Sequence, residues 1–477
     1  MPNITYDASG STIAVFDASL PAEEGTIVYN PGDMAFIILC ATLVFFMSPG
    51  IGFLYSGLLR RKNALSMLFL SLAVYSVATV TWFFWGYSLT FSDGSAFIGD
   101  LKNFGLMNVL DAPSAGSSKI PALLFCLYQS MFAGLTPTIA TSGVAERARI
   151  LPILVWTFLW ASIVYAPVAH WTWCATGWSF QKGDLDFAGG GPVHITSGTA
   201  SLVWSFYLGK RRGYGTEKLS YRPHSTSHVV LGTAFLYFGW FGFNAGSALS
   251  MSLRAVQAGI VTNIAAAFGG LAWVLVDLIY TGKYSAVSIC SGIVAGLVGI
   301  TPAAGFVGAP ASLAIGFVTA VCCNYATSLK VFLRVDDAVD GFALHGVGGF
   351  VGCILTALFA DSRVAAFDGF TEIPGGWINK NYVQLGWQLA SACAVMSYTA
   401  VVTYILLFII DHIPGLKLRA DEDAEVLGMD ETMLGELSYD YVAVRRDLEN
   451  AEEVDNWKMK DTASAHSSNE KKPTASV

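Results

Sequence analysis

The chain has 477 residues, 54% of them hydrophobic and only 13% charged. Water-soluble domains carry about 25% charged residues, so this composition excludes a soluble globular protein and marks a polytopic membrane protein. The formal net charge of −8 belongs almost wholly to the segment from Pro414 onward, with fifteen Asp/Glu against eight Lys/Arg, and no basic stripe is left elsewhere to bind nucleic acid.

Residues 1–33 contain no Lys or Arg, and Asn3-Ile4-Thr5 is the one N-glycosylation sequon of the chain. This fits an extracellular N-terminal segment glycosylated at Asn3. The segment lacks the basic start of a cleaved signal peptide, so the first span is expected to direct insertion itself. A span needs about 20 mainly apolar residues. Eleven such segments follow, near 34–58, 64–90, 120–144, 151–171, 192–209, 227–248, 256–280, 285–301, 305–329, 341–361 and 383–412. With the N-terminus outside, inner loops hold thirteen Lys/Arg, among them Arg60, Arg61, Lys62, Arg147, Arg211 and Lys330, against six in outer segments. The positive-inside rule therefore predicts N-out, C-in and an odd number of spans, none of which contains Lys or Arg as drawn.

Gly, Ala and Ser recur at close intervals, as in Gly239/Gly242/Gly246 and Gly292/Gly296/Gly299. Small residues let helix backbones approach closely in lipid. The eight cysteines (Cys40, Cys126, Cys174, Cys290, Cys322, Cys323, Cys353 and Cys393) lie mostly inside apolar runs at no metal-like spacing. They read as small buried hydrophobes, without a disulfide framework.

Two stretches share one plan. Asp186-Phe-Ala-Gly-Gly-Gly-Pro-Val-His194 and Asp337-Ala-Val-Asp-Gly-Phe-Ala-Leu-His345 each set an Asp eight positions before a His, with small residues and an apolar run after it. They open spans five and ten. The chain then divides into pseudo-repeats of about 34–209 and 227–361, of opposite topology because five is odd, with a site expected near the midplane. The last span, 383–412, falls outside the repeat. Of the tail, 414–447 holds apolar residues such as Met429, Met433 and Leu437 among its charges and is expected to dock, while 448–477 is too polar to bury a core and is expected to be disordered.

Intramembrane ionisable groups usually face a cavity. His194 and His345 are therefore read as one site rather than two unrelated buried histidines. Neutral imidazole donates from one ring nitrogen and accepts at the other, so two in line give a polar, uncharged path that can also relay a proton. For Asp337, capping a helix start and serving the site stand level. The three glycines and proline after Asp186 are a poor setting for a simple cap. Trp173, Phe132 and Trp240-Phe-Gly-Phe243-Asn-Ala-Gly-Ser247 form an aromatic set. Interfacial packing is the commoner fate of such rings, and a cage for a small cation is the alternative.

These residues resemble the ammonium transporter / methylammonium permease / Rhesus family. The Asp186-Phe-Ala-Gly-Gly…His194-x-x-Ser-Gly signature carries the resemblance. Pro49-Gly-Ile-Gly-Phe-Leu-Tyr55-Ser-Gly, Gln129-Ser-Met-Phe132-Ala, Gly239-Trp240-Phe-Gly-Phe243-Asn-Ala-Gly-Ser247 and Gly299-Ile-Thr301-Pro match as well. The likeness extends from about Gly32 to about Arg446, and Gly428-Met-Asp…Gly435-Glu is most similar to fungal permeases. It implies an all-α homotrimer at the plasma membrane, one pore per subunit, that takes up ammonium (with methylammonium as analogue) for nitrogen nutrition. Trp173, Phe132 and Ser247 would recruit NH4+, Phe132 and Phe243 would stack as a gate, and Asp186 would support binding. His194, His345, Trp240, Thr301 and Tyr55 would line the pore, with Asp337 behind them. No cofactor, metal or enzymatic activity is implied, and the retained His194 resembles the twin-histidine, high-affinity type.

Three other classes compete with this reading. A nitrogen sensor would signal through the tail, where a kinase would act at Thr432, Ser438, Thr462 or Ser464. A membrane metalloenzyme would hold zinc with His194, His345, Asp186 and Asp337, though no close-range ligand pair supports it. A Rhesus-like gas channel would differ at the outer aromatic site.

Overall fold

The computed structural model describes residues 26–216 and 223–439, together with two strand segments before them. These strands, β1 (Asn3–Tyr6) and β2 (Ile13–Phe16), form an antiparallel sheet with β3 (Thr26–Tyr29) in the order β1-β2-β3. The expected all-α architecture thus carries a small sheet at its N-terminus, built from short β-branched and aromatic runs that suit strands. Tyr29 fastens it to the bundle, its hydroxyl donating to Asp111 O at 2.6 Å. The sequon residue Asn3 opens β1.

The remainder is helical. In chain order the principal helices are α1 (Pro31–Leu58), α2 (Arg61–Phe91), α3 (Ala122–Val144), α4 (Ile150–Gln181), α5 (Thr196–Leu208), α6 (Thr226–Gly246), α7 (Leu253–Thr281), α8 (Ala286–Ile300), α9 (Ala309–Phe332), α10 (Phe342–Phe359) and α11 (Gln384–Asp411). Among the described residues nine of them are long and apolar enough to cross a membrane. The other two, α5 and α8, are shorter, and α5 is lengthened by a wide π-helical segment, Gly190–Ile195, that leads into it. The chain is a multi-pass membrane protein.

Helix starts follow local chemistry. The side chain of Asn30 accepts from Gly32 N at 2.7 Å and Pro31 opens α1, where a missing N–H does no harm. Several helices run past the limits drawn from hydropathy, so cations do fall within them. Arg61, Lys62 and Lys330 lie at helix ends, and Arg254 sits in the first turn of α7. They are tolerated because they are paired or reach the interface; Arg254 bridges Asp368 at 3.0 Å.

Two glycines show what the small residues permit. A Cβ at Gly232 of α6 would stand 2.4 Å from Leu54 N of α1, and one at Gly198 of α5 would stand 2.1 Å from Gly346 N. The helices that bear the two histidines therefore cross with their backbones in contact.

After α11 the chain returns across one face of the bundle. Arg149 N donates to Leu418 O and Ala420 N to Arg147 O, both at 2.9 Å. A short helix, α12 (Glu422–Leu427), follows. Met429 N then donates to Asn63 Oδ1 at 2.9 Å, and Asp430 caps the start of α2 by accepting from Leu65 N at 2.9 Å and Ser66 N at 2.7 Å. Met429 is buried but Leu427 and Leu437 are exposed, so this contact is made more by backbone and carboxylate groups than by the apolar side chains. The segment 448–477, with Thr462 and Ser464, lies outside the described residues.

Candidate functional site

The site is a row of rings through the middle of the bundle. Trp173, near the end of α4 remote from the tail, meets Phe132 of α3 edge-on at 5.9 Å. Phe132 stacks on Phe243 of α6 at 4.3 Å and 28°. Phe243 lies 6.0 Å from the His194 ring, and His194 lies 5.3 Å from His345. All but Trp173 are buried. Residues from both halves of the chain and from five helical segments thus meet in one file.

The histidines face each other through Nδ1, 3.2 Å apart. Only one proton fits between two such atoms, so one ring donates and the other accepts. In a neutral pair the outer nitrogens then differ: one Nε2 carries a proton and the other a lone pair. Nε2 of His194 is buried and has no protein partner. The His194 ring is held flat against Trp240 at 5.3 Å and 22°. Trp240 is oriented in turn by its Nε1 donating to Thr301 Oγ1 at 2.9 Å. Tyr55 donates its hydroxyl to Ile139 O at 3.0 Å, rather than to either histidine.

The two carboxylates do matching work from opposite faces. Asp186 Oδ1 accepts from Gly189 N at 2.8 Å and Gly190 N at 2.7 Å, and Oδ2 accepts from Gly191 N at 2.7 Å. Gly189 has φ +115°, a value glycine adopts freely, and that turn lets three successive amides converge. Asp186 is therefore a cap after all: the glycines that argued against one make it possible. Asp337 Oδ1 accepts from Gly341 N at 3.2 Å and Oδ2 from Phe342 N at 2.9 Å. Each cap leads into a π-helical segment carrying a histidine, Gly190–Ile195 or Phe342–Val347. π-turns often mark functional positions in helices.

At the end of the row remote from the tail, Trp173 Nε1 donates to Asp186 O at 3.1 Å, so ring and carboxylate hang from one residue. Ser247 Oγ donates to Phe243 O at 2.9 Å and lies 3.3 Å from Tyr128 OH. Tyr128, not singled out from sequence, also contacts the carbonyls of Gly242 and Phe243 and packs on Phe132 at 5.0 Å. It precedes Phe132 by four positions, so the i, i+4 rule was the available signal. Both carboxylates are occupied by backbone amides, and among the described residues no three His, Cys, Asp or Glu converge as a metal site.

On the tail side a cavity of about 330 Å³ is lined by residues that include Arg211, Lys330, Asp336, Asp337, Asp340 and Leu344. Two of these residues, Arg211 and Asp336, belong to an ion-pair ladder: Arg60–Glu146 at 2.9 Å, Arg211–Glu146 at 3.0 Å and Arg211–Asp336 at 2.8 Å. Against the effect of burial, Arg211 and Arg60 hold the Glu146 carboxyl below its ordinary value. Thr432 donates its hydroxyl to Gly428 O at 2.7 Å, and Ser438 is half-buried.

The sequence model of the Ammonium Transporter Family matches residues 35–439. The chain is 52% identical over 415 residues to Ammonium transporter 1 of Schizosaccharomyces pombe, covering 87% of this chain and 83% of that one. It is 49% identical over 420 residues to Ammonium transporter MEP2 of Saccharomyces cerevisiae, covering 86% of this chain and 84% of that protein. Among solved structures, the crystal structure of Candida albicans Mep2 superposes with a TM-score of 0.79 at 50% identity, covering 83% of this chain and 87% of that one.

Proposed function

Because this chain belongs to the ammonium transporter family, we propose that the row of rings is its ammonium path. NH4+ is recruited where Trp173, Phe132 and Ser247 converge and gives up its proton there. NH3 passes between Phe132 and Phe243 to His194 and His345, and the proton crosses separately by way of the imidazole pair and rejoins NH3 on the far side, so that one charge crosses with each NH3. The observation that carries this is the buried His194–His345 pair, joined through Nδ1 and leaving His194 Nε2 without a protein partner. A cation–π contact contributes up to about 2 kcal/mol when desolvated, whereas burying an ion costs several kcal/mol even after relaxation. The ion is thus held at the mouth but opposed further in. K+ has no proton to lose and is refused.

In this reading the eleven helices all span, as two inverted halves plus α11, in a plasma-membrane trimer. The N-terminus and the Trp173 mouth are extracellular. The tail and the ion-pair ladder are cytosolic, and the tail regulates this same pore, with Thr432 and Ser438 as targets of a kinase.

Purified protein in liposomes on a solid-supported membrane tests the proposal. An ammonium pulse is expected to give a current that His194→Ala/His345→Ala abolishes. Absence of both a wild-type current and a pH-detected ammonia flux would overturn the reading.

A further inference from the structure

The last long helix lies outside the repeat, yet it reaches directly into the site. Gln388 is fully buried on α11, and its amide grips Leu185 from both sides. Oε1 accepts from Leu185 N at 2.7 Å, and Nε2 donates to Leu185 O at 2.8 Å. A backbone N–H only donates and a carbonyl only accepts, so these partners fix which amide atom is which. The remaining capacity is also used: Gln384 Nε2 donates to Gln388 Oε1 at 3.2 Å, and Gln388 Nε2 reaches Cys353 O of α10 at 3.4 Å. Gln384 Nε2 further donates to Gly183 O at 2.8 Å. A side chain thus pairs with Leu185 much as a neighbouring strand would.

The residue so gripped immediately precedes Asp186. From Asp186 hang the indole of Trp173, through its carbonyl, and the amides of Gly189, Gly190 and Gly191, through its carboxylate. Those amides begin the turn that carries His194. Displacement of Leu185 would move the mouth ring and the pore histidine together. Removing the amide would also leave a buried N–H and C=O unpaired, a state folded chains avoid by rearranging.

We propose that Gln388 is a positioning residue for ammonium transport, setting the place of the Trp173 ring and the Asp186 carboxylate through Leu185. This rests on the transporter reading given above. Gln388→Leu removes the grip, and Gln388→Asn withdraws the amide by one methylene so that it cannot reach both sides of Leu185. Thr403→Val is the control: it deletes a buried bond of the same helix, to Trp160 Nε1 at 2.9 Å, far along α11 from residue 185.

Two measurements on the full-length protein separate the possibilities. Hydrogen–deuterium exchange of purified protein is expected to quicken at the amides of 185–191 in both Gln388 variants and not in Thr403→Val. Uptake normalised to surface protein is expected to show an apparent KM for ammonium about tenfold higher, equivalent to about 1.4 kcal/mol, with Vmax altered less than about twofold. Unchanged exchange at 185–191 overturns the proposal whether or not the protein transports. Faster exchange with an unchanged KM, Vmax alone falling, reduces Gln388 to a structural role and also overturns it. Faster exchange in a protein whose wild type shows no ammonium uptake overturns the transporter reading, and with it the role in transport, while the grip on Leu185 stands.

Discussion

Asp186 is the group whose removal the structure resolves most finely. Its two oxygens receive three backbone amides, from Gly189, Gly190 and Gly191. A hydrogen bond to a charged group contributes about 1.5–3 kcal/mol, so Asp186→Ala forfeits a gross stabilisation of about 4–9 kcal/mol, less whatever water recovers. Total stability is only about 5–15 kcal/mol, and this variant is expected to be barely folded. Asp186→Asn is the informative change. Its Oδ1 can still serve Gly189 and Gly190, but its NH2 must oppose the N–H of Gly191, donor against donor. Losing one charged bond and the charge assistance of the others sets the loss at about 2–4 kcal/mol. Asp337→Asn gives up less, because Asp337 receives only two amides, one of them at 3.2 Å. Thermal unfolding of the purified proteins should rank wild type above Asp337→Asn, and that above Asp186→Asn. The ammonium current should fall furthest in Asp186→Asn, since Gly191 belongs to the turn carrying His194. An Asp186→Asn protein that unfolds and conducts as wild type would refute the idea that these amides hold the site.

Three further outcomes are expected. Trp173→Leu removes the edge-on ring at 5.9 Å from Phe132 and should raise the KM for methylammonium uptake by about tenfold, the loss of up to about 2 kcal/mol of cation–π contact. An unchanged KM would point instead to a gas channel indifferent to that ring. Gly198→Ala puts a Cβ 2.1 Å from Gly346 N, whereas Gly386→Ala on α11 meets nothing within 4 Å. The first should cost about 1–3 kcal/mol by overpacking and lose the current, and the second should change neither in a thermal-shift and current comparison. Glu146 and Asp336 are held below their ordinary values, so they stabilise the ion-pair ladder above those values and the contribution is lost as pH falls through the lower folded ones. Limited proteolysis should therefore show the loops and tail loosening as pH drops below 4.5, the ordinary value for Glu146, and Glu146→Gln should be loose already at neutral pH.

What the sequence made legible was whatever local chemistry writes at fixed spacing. The Asp-to-His interval of eight was visible because a carboxylate must sit just before the amides it receives, and the histidine one turn further on. Glycines at helical intervals announced close crossings, though not that Gly198 meets Gly346. Hydropathy found the apolar cores of the helices and missed their ends, since Arg254 and Lys330 are made tolerable by Asp368 and Asp340, partners far away in sequence or at the lipid boundary. Tyr128 and Gln388 escaped for a related reason. Neither belongs to a patterned motif, and each makes its strongest bonds to groups more than a hundred residues distant: Tyr128 to the carbonyls of α6, Gln388 to Leu185. Gln388 in particular looks, on sequence, like a costly polar residue in an apolar span. Folding turns that cost into a constraint, because an amide that must find four partners inside lipid can sit in very few places. A residue of α11 can therefore fix where the segment that starts at Leu185 sits.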